Sequence, residues 1–220
     1  MSAEVDLDGL AAAVAGASPE LDRVGQRLAV ALYRALAEGA PVPAAALAER
    51  CGLGEPQVAE TLGGWPGVFR DDAGDVIGFW GLALPEMAHG FTVGGRRLYA
   101  WCAWDALFIT PILGQVAQVC SRCPVTGRPV SLVVGPDGVR EAEPATTVVS
   151  FLSPRRPWAD DVVTSFCHYV LFFASPEAGA TWADEHPGTF VLSLADAFEL
   201  GRRFNALRLG AALEAGAPAV

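Results

Sequence analysis

The sequence predicts an α+β protein in which a helical N-terminal part precedes a mixed, mainly antiparallel sheet with flanking helices. Apolar residues recur at helical spacing through the first part of the chain, as in Leu21, Val24, Leu28 and Leu32. Short β-branched segments separated by glycine-containing turns follow, and helix signals return after Ser175. Helices and hairpins in this arrangement are typical of the α+β class.

Two domains are expected within the 220 residues. The break at Leu84-Pro85-Glu86-Met87 separates an N-terminal helical domain, residues 1–84, from an α+β domain, residues 85–220. A chain of this length can build either one large core or two smaller ones.

The N-terminal part carries the element order of a winged-helix domain, namely helices followed by a hairpin. Ser18 and Pro19 are the predicted N-cap and first residue of the first long helix. The predicted elements are a loose helix before Ser18, helices from Ser18 to Glu38, Pro41 to Arg50 and Glu55 to Leu62, and a hairpin of Val68–Arg70 with Val76–Trp80.

A DNA-binding role for this part is disfavoured by charge. The third helix offers Glu55, Gln57, Glu60 and Thr61 but no Lys or Arg. Phosphates and guanine edges are contacted mainly by basic side chains. We therefore interpret the winged-helix shape as a packing module.

The second part is predicted from turn chemistry and β-branched runs. Gly94-Gly95 suits a tight hairpin turn, and Pro111 should bend or end the helix that begins at Ala103. The predicted elements are a hairpin of Phe91–Val93 with Arg96–Trp101, a helix from Ala103 to Thr110, a hairpin of Pro129–Val134 with Val139–Glu143, a strand from Thr146 to Leu152, a helix from Asp160 to Thr164, a strand from His168 to Ala174, a helix from Pro176 to Glu185, a strand from Thr189 to Leu192, and a helix from Leu194 to Leu213.

The net charge of the protein limits the classes of partner that it can bind. The formal net charge is −10, which argues against nucleic acid or an anionic membrane as a partner. No apolar run is long enough to span a bilayer. The first residues include Glu4, Asp6 and Asp8 and lack the basic region of a secretory signal, so a cytoplasmic protein is expected.

The five cysteines point to free thiols. An odd number in a chain without a signal argues against a disulfide framework. Reduced thiols suit metal binding or nucleophilic chemistry. Thiolate is also the ligand type that soft metals select.

Cys102 is the first candidate reactive thiol. It lies where a strand is predicted to run into a helix, and a helix N-terminus favours the thiolate. Asp105, three residues later, shares that helix face and is close enough to exchange a proton with a group held by Cys102. The neutral alternative is that Asp105 merely stabilises the first turn of its helix.

Cys120-Ser121-Arg122-Cys123 permits a zinc half-site or a redox pair. No second Cys pair stands at zinc spacing, and no strand-to-helix context of a thioredoxin-like pair is predicted. A turn with one buried thiol is the favoured interpretation.

Several blocks resemble the organomercurial (alkylmercury) lyases over most of residues 20–208. The most specific are Tyr99-Ala100-Trp101-Cys102 with Asp105, and Ser165-Phe166-Cys167. The others are Ser131-Leu132-Val133-Val134, Phe172-Phe173-Ala174-Ser175, Ala197-Phe198-Glu199-Leu200-Gly201 and Phe204-Asn205.

The resemblance implies protonolysis of a carbon–mercury bond, giving a hydrocarbon and Hg(II). It implies that Cys102 and Cys167 are the mercury ligands, that Asp105 is the proton donor and the third ligand, and that no cofactor is needed. Small thiols and a mercuric reductase that receives Hg(II) are the implied partners besides the organomercury substrate. Trp101 and Trp104 would wall an apolar pocket for the organic group.

One departure from the resemblance concerns the second cysteine site. Some family members have two adjacent cysteines there, whereas Cys167 is followed by His168. We expect His168 to pack on a strand rather than to bind a metal. Cys120 looks like an addition that either relays mercury or is idle.

Two alternatives stay open at this stage. One is a winged-helix, metal-responsive transcriptional regulator, which the acidic third helix opposes. The other is a mercury-binding protein without catalysis.

Overall fold

The computed structural model describes residues 5–154, 157–158 and 162–214, and these form helices around two antiparallel sheets. The helices are α1 (Leu7–Ala17), α2 (Arg23–Leu36), α3 (Ala44–Cys51), α4 (Glu55–Gly63), α5 (Asp105–Leu113), α6 (Val162–Ser165), α7 (Pro176–Glu185) and α8 (Leu194–Glu214), with a 3-10 helix at Cys167–Tyr169.

Strand pairing within the described residues is antiparallel throughout. The strands are β1 (Val68–Arg70), β2 (Val76–Phe79), β3 (Leu82–Ala83), β4 (His89–Val93), β5 (Arg96–Ala100), β6 (Ala117–Arg122), β7 (Pro129–Gly135), β8 (Gly138–Glu143), β9 (Val148–Leu152), β10 (Phe172–Phe173) and β11 (Thr189–Ser193). The larger sheet has the order β1-β2-β3-β5-β4-β6-β7-β8, and the smaller one has the order β10-β9-β11. This arrangement confirms the predicted α+β class.

The predicted hairpins are present, and their turns explain why. β4 and β5 are joined by Gly94 and Gly95, whose φ angles are 55° and 75°, a conformation that glycine adopts without strain. β5 then ends at Ala100, directly before Trp101 and Cys102. This hairpin therefore delivers Cys102 to the end of a central strand.

The start of the first long helix differs from the prediction. Ser18 ends α1, donating its hydroxyl to the Val14 carbonyl, and is not the N-cap of the next helix. The N-cap is Asp22, whose carboxylate accepts the Gly25 N–H at 2.7 Å. An N-cap needs a side-chain acceptor for a free N–H of the first turn, and Asp22 supplies it.

α5 continues through Pro111 to Leu113, three residues beyond the predicted end at Thr110. Proline cannot donate to the Leu107 carbonyl four residues earlier. The Thr110 hydroxyl lies 3.1 Å from that carbonyl and donates to it instead. A side-chain substitute for the missing backbone hydrogen bond therefore lets the helix continue.

Two further segments differ from the strands that were predicted. β6 was not predicted, yet it pairs with both β4 and β7 in the middle of the larger sheet. The predicted strand from His168 to Ala174 is a 3-10 helix followed by the two-residue β10. The predicted helix start at Asp160 and Asp161 lies outside the described residues, and α6 is described from Val162.

The larger sheet runs across the predicted domain boundary. β3 pairs with β5, and thereby joins the β1–β2 hairpin to the strands of the second part. The division into residues 1–84 and 85–220 and the winged-helix assignment both stay predictions.

None of the described helices combines the length and the apolar character needed to cross a membrane.

Candidate active site

Cys102, Asp105 and Cys167 come together in the interior of the protein. The two sulfur atoms and a carboxylate oxygen of Asp105 all lie within 4.8 Å of one another. The three residues are 0%, 4% and 5% exposed, in the order Cys102, Cys167, Asp105. No other such group of His, Cys, Asp or Glu is found among the residues that the structure describes.

The turn between β5 and α5 positions Cys102 and Asp105. The prediction placed Cys102 in the first helical turn and Asp105 one turn further. Instead, Asp105 is the first residue of α5, and Cys102 precedes the N-cap residue Trp104. Asp105 Oδ2 accepts the Cys102 backbone N–H at 2.7 Å, so the carboxylate folds back over the turn towards the thiol.

The 3-10 helix positions Cys167. Ser150, buried on β9, donates its hydroxyl to the Tyr169 carbonyl at 2.7 Å and accepts the Leu171 N–H at 3.0 Å. The Ala103 N–H donates to the Val170 carbonyl at 2.9 Å, which ties the Cys102 turn to the Cys167 segment. Backbone hydrogen bonds thus align two segments that are distant in sequence.

Both thiols are protonated in the resting site. Burial raises the pKa of Cys102 well above its usual value, and the hydrogen bond with Cys167 and the nearby Asp105 raise it further. The hydrogen bond from Cys102 lowers the pKa of Cys167, but burial and the charge of Asp105 outweigh it, so that this pKa is raised as well. The prediction that the helix N-terminus makes Cys102 a thiolate was wrong, because desolvation outweighs the helix dipole here.

Burial raises the pKa of Asp105 from 3.8 to about 7. Hydrogen bonds from the Cys102 thiol and backbone N–H oppose this shift but do not cancel it. A carboxyl group that titrates near neutral pH can both accept and release a proton under ordinary conditions. Asp105 therefore has the acid–base property that proton transfer needs.

The raised pKa of Asp105 predicts a pH-dependent stability. From about pH 4 to pH 7 the folded protein holds a proton on Asp105 that the unfolded chain has lost, so the free energy of unfolding falls as pH rises. We expect roughly 2 to 3 kcal/mol of this fall between pH 5 and pH 8. Asp105→Asn can still accept the Cys102 N–H, but its free energy of unfolding should not show this fall. Chemical denaturation at both pH values measures the difference, and equal slopes for the two proteins would contradict the prediction.

Trp104 belongs to the core rather than to a pocket wall. Its ring contacts Phe108, Phe151 and Phe204, and its Nε1–H donates to the Ala197 carbonyl at 3.0 Å. It is 1% exposed. The pocket role implied for Trp104 by the resemblance is therefore not supported by its position.

Trp101 does line an apolar cavity of about 430 Å³. The segments that border the cavity also lead to the site: Trp101 precedes Cys102, and Val163 lies on α6 before Cys167. Phe69, 43% exposed, packs edge-on against Trp101 with ring centroids 5.1 Å apart. The remaining lining residues are Arg70, Ile77, Gly78, Ala83, Pro85, Met87 and Thr164.

The other cysteines lie outside the cluster. Cys120 is exposed on β6, whereas Cys123 is buried in the turn that follows, as the favoured interpretation predicted. Burial raises the pKa of Cys123, but hydrogen bonds from Thr126 and from the backbone at Ala174 and Val125 outweigh it, so the pKa is lowered. His168 is exposed and is not part of the cluster. The prediction that it packs on a strand was wrong, because it lies in the 3-10 helix.

Sequence reasoning missed Gly81, which contacts Asp105, and the turn to which Gly81 belongs. A Cβ atom on Gly81 would lie 2.5 Å from Asp105 Cγ, so this glycine packs directly on the carboxyl group. The Trp80 carbonyl beside it accepts a hydrogen bond from Tyr33. The only available signal was the glycine itself, since a glycine between strands can mark a close approach.

Known proteins similar to this chain are alkylmercury lyases. The sequence model of the alkylmercury lyase family matches residues 82–205. An alkylmercury lyase of Pseudomonas putida is 45% identical over 174 residues, which cover 79% of this chain and 81% of that protein. One of Streptomyces lividans is 44% identical over 171 residues, 78% of each chain.

The fold is also found in a solved structure. The crystal structure of the mercury-bound form of MerB2 superposes with a TM-score of 0.71, covering 96% of this chain and all of that one. The sequence identity is 21%, so this likeness concerns the fold.

Proposed function

The chain belongs to the alkylmercury lyase family, and on that premise we propose that Cys102, Cys167 and Asp105 form its active site. As a lyase of this family, it cleaves the carbon–mercury bond of an organomercury substrate. The observation that carries the assignment of residues is the buried cluster, in which two thiols and one carboxyl group lie within 4.8 Å.

The first steps are capture of the substrate and a second coordination. The substrate arrives as an organomercury cation bound to a small thiol. One cysteine sulfur replaces that thiol on mercury, and the cysteine proton leaves with the displaced thiol. The second sulfur then binds mercury while its proton moves to the Asp105 carboxylate, which lies within reach. Two sulfur ligands raise the electron density on the carbon that mercury still holds.

The last step delivers a proton to carbon. Asp105 transfers its proton to the carbon atom as the carbon–mercury bond breaks, and the hydrocarbon leaves. Hg(II) stays on two thiolates, so that its charge is neutralised inside a buried site. The carboxylate of Asp105 is then available as a third ligand. The pKa of about 7 suits Asp105 for both halves of this transfer.

The apolar cavity beside Trp101 is the proposed site for the organic group. In this proposal the ring of phenylmercury enters the cavity and contacts Phe69, which is one of its lining residues, whereas the smaller methyl group stays beside mercury. We expect Phe69→Ala to raise the KM for phenylmercury roughly 2- to 10-fold, the effect of one aromatic contact, and to leave the KM for methylmercury unchanged. The control is Leu207→Ala, which removes an apolar side chain on α8 that is 58% exposed. Equal changes for both substrates would contradict this role.

Small thiols and a mercuric reductase are the proposed partners that take Hg(II) from the two cysteines. Ligand exchange by an incoming dithiol would release the ion without exposing it to water. The five cysteines are all free, which suits a reducing compartment, and we propose the cytoplasm.

Product analysis tests the proposal. Reduced protein is mixed with phenylmercury and an excess of small thiol, and benzene is measured by chromatography. Many equivalents of benzene per protein are expected. Bound mercury without benzene would instead support a mercury-binding protein without catalysis. A transcriptional regulator is not favoured by the family, and it would have to shift DNA in a salt-dependent manner.

A further inference from the structure

We propose that Tyr33, acting through the turn of Trp80 and Gly81, positions the Asp105 carboxyl group for proton transfer. This inference rests on the proposed role of Asp105 as proton donor. Because Tyr33 lies on α2, this inference means that an N-terminal helix contributes to the reaction.

Gly81 forms one wall of the carboxyl site. A Cβ atom added to Gly81 would lie 2.5 Å from both Cγ and Oδ1 of Asp105 and 2.8 Å from its Cβ. Asp105 Oδ2, on the other side, accepts the Cys102 N–H. The carboxyl group is thus held between the Gly81 backbone and the Cys102 backbone. A shift of either backbone moves the proton donor.

The same turn holds the main chain that leads to Cys102. The Gly81 carbonyl accepts the Trp101 N–H at 3.0 Å, and Trp101 immediately precedes Cys102. One short turn therefore contacts both the proton donor and the chain that carries one of the mercury ligands.

The turn is an unusual conformation for its sequence. Trp80 and Gly81 connect β2 to β3, and both have positive φ angles, 32° and 97°. Hairpin turns of this kind prefer Asn, Asp or Gly at the first position, and a bulky residue with positive φ is strained. Strain of this kind persists only where the surroundings fix it, and it occurs frequently at functional sites.

Tyr33 is one of the groups that fix the turn. Its hydroxyl donates to the Trp80 carbonyl at 2.7 Å, and the Trp80 N–H donates to the Gly67 carbonyl at 3.2 Å. Tyr33 is 4% exposed, and burial raises its pKa, so the hydroxyl stays protonated and remains a donor. The Trp80 indole packs on Gly67, where a Cβ would lie 3.2 Å from the ring.

The proposed consequence is confined to proton transfer. Without the Tyr33 hydroxyl the Trp80 peptide can relax, and the wall at Gly81 moves away from Asp105. Proton transfer depends steeply on distance. The Gly81 carbonyl can still accept the Trp101 N–H when the Tyr33 hydroxyl is removed, so the chain before Cys102 stays held. A defect in the turn should therefore lower kcat and leave substrate capture intact.

Tyr33→Phe tests the hydrogen bond with little change of shape. We expect kcat for benzene release to fall roughly 10-fold, with KM and the stoichiometry of bound phenylmercury unchanged. The matched control is Thr147→Val, which deletes a buried hydroxyl that donates to the Pro144 carbonyl at 2.6 Å and lies outside the site. The control should lose comparable stability and keep its kcat.

Gly81→Ala tests the wall itself, and we expect a fall in kcat on the order of 100-fold. Its control is Gly74→Ala, because Gly74 has a similar φ of 88° but no atom within 4 Å of the added Cβ. If Gly81→Ala does not fold, Tyr33→Phe decides the question. A Tyr33→Phe enzyme with the kcat of the Thr147→Val control would overturn this inference alone. A failure of the proposed function would give a different result. Either the wild-type protein would release no benzene, or Asp105→Asn would release benzene as fast as the wild-type protein.

Discussion

Replacing Cys102 or Cys167 by serine is expected to abolish turnover of organomercury compounds. A serine hydroxyl is a hard, neutral ligand and cannot replace a thiolate on a soft metal. Because the two thiols act on one mercury atom, the loss of either should lower kcat on the order of 10³-fold or more. Hydrocarbon release by each single variant and by the double variant measures the effect, and the double variant should be no worse than the single ones.

The matched control is Cys120→Ser, which removes an exposed thiol on β6 outside the cluster. It should retain wild-type turnover, and any relay role of Cys120 would appear as a loss at low substrate concentration. A Cys102→Ser or Cys167→Ser enzyme with near wild-type activity would contradict the proposed site.

Asp105→Asn is expected to separate capture of the substrate from cleavage. The amide can keep the hydrogen bond to the Cys102 N–H but cannot deliver a proton. We expect hydrocarbon release to fall about 10²- to 10⁴-fold, the usual contribution of a general acid. The variant should still bind phenylmercury through its two cysteines.

Asp105→Asn would be mixed with phenylmercury, and gel filtration would remove the unbound compound. The mass of the recovered protein should then show one bound mercury atom with the phenyl group still attached. Asp22→Asn is the control, because Asp22 also accepts a backbone N–H at 2.7 Å but caps α2 away from the site. Rapid release of benzene by Asp105→Asn would remove Asp105 from the mechanism.

The fold could be predicted wherever local chemistry decides it. The Gly94-Gly95 turn, the helix start at Pro176 and the apolar spacing of α2 each depend on a few residues, and each prediction was confirmed. The elements that were missed depend on tertiary contacts. β6 is held by two neighbouring strands, and α5 passes Pro111 because Thr110 supplies a hydrogen bond.

The candidate site could be predicted in part. Spacing alone linked Cys102 to Asp105, but the link to Cys167 came from the resemblance, because no local pattern reports a contact between distant segments. The protonation state was wrongly predicted for Cys102 since burial, which sequence does not display, outweighs the helix dipole. Tyr33 gave no sequence signal and Gly81 gave only that of a glycine between strands, because their proposed roles depend on the turn between β2 and β3, where Tyr33 donates to Trp80 and Gly81 packs against Asp105.

The location of the mercury product tests the central claim most directly. A crystal of the wild-type protein would be treated with phenylmercury, and the metal would be located by its anomalous scattering. We predict one mercury atom bound by the sulfur atoms of Cys102 and Cys167, next to the Asp105 carboxylate, with no density for a phenyl ring. Mercury at Cys51, Cys120 or Cys123, with Cys102 and Cys167 unmodified, would contradict the account.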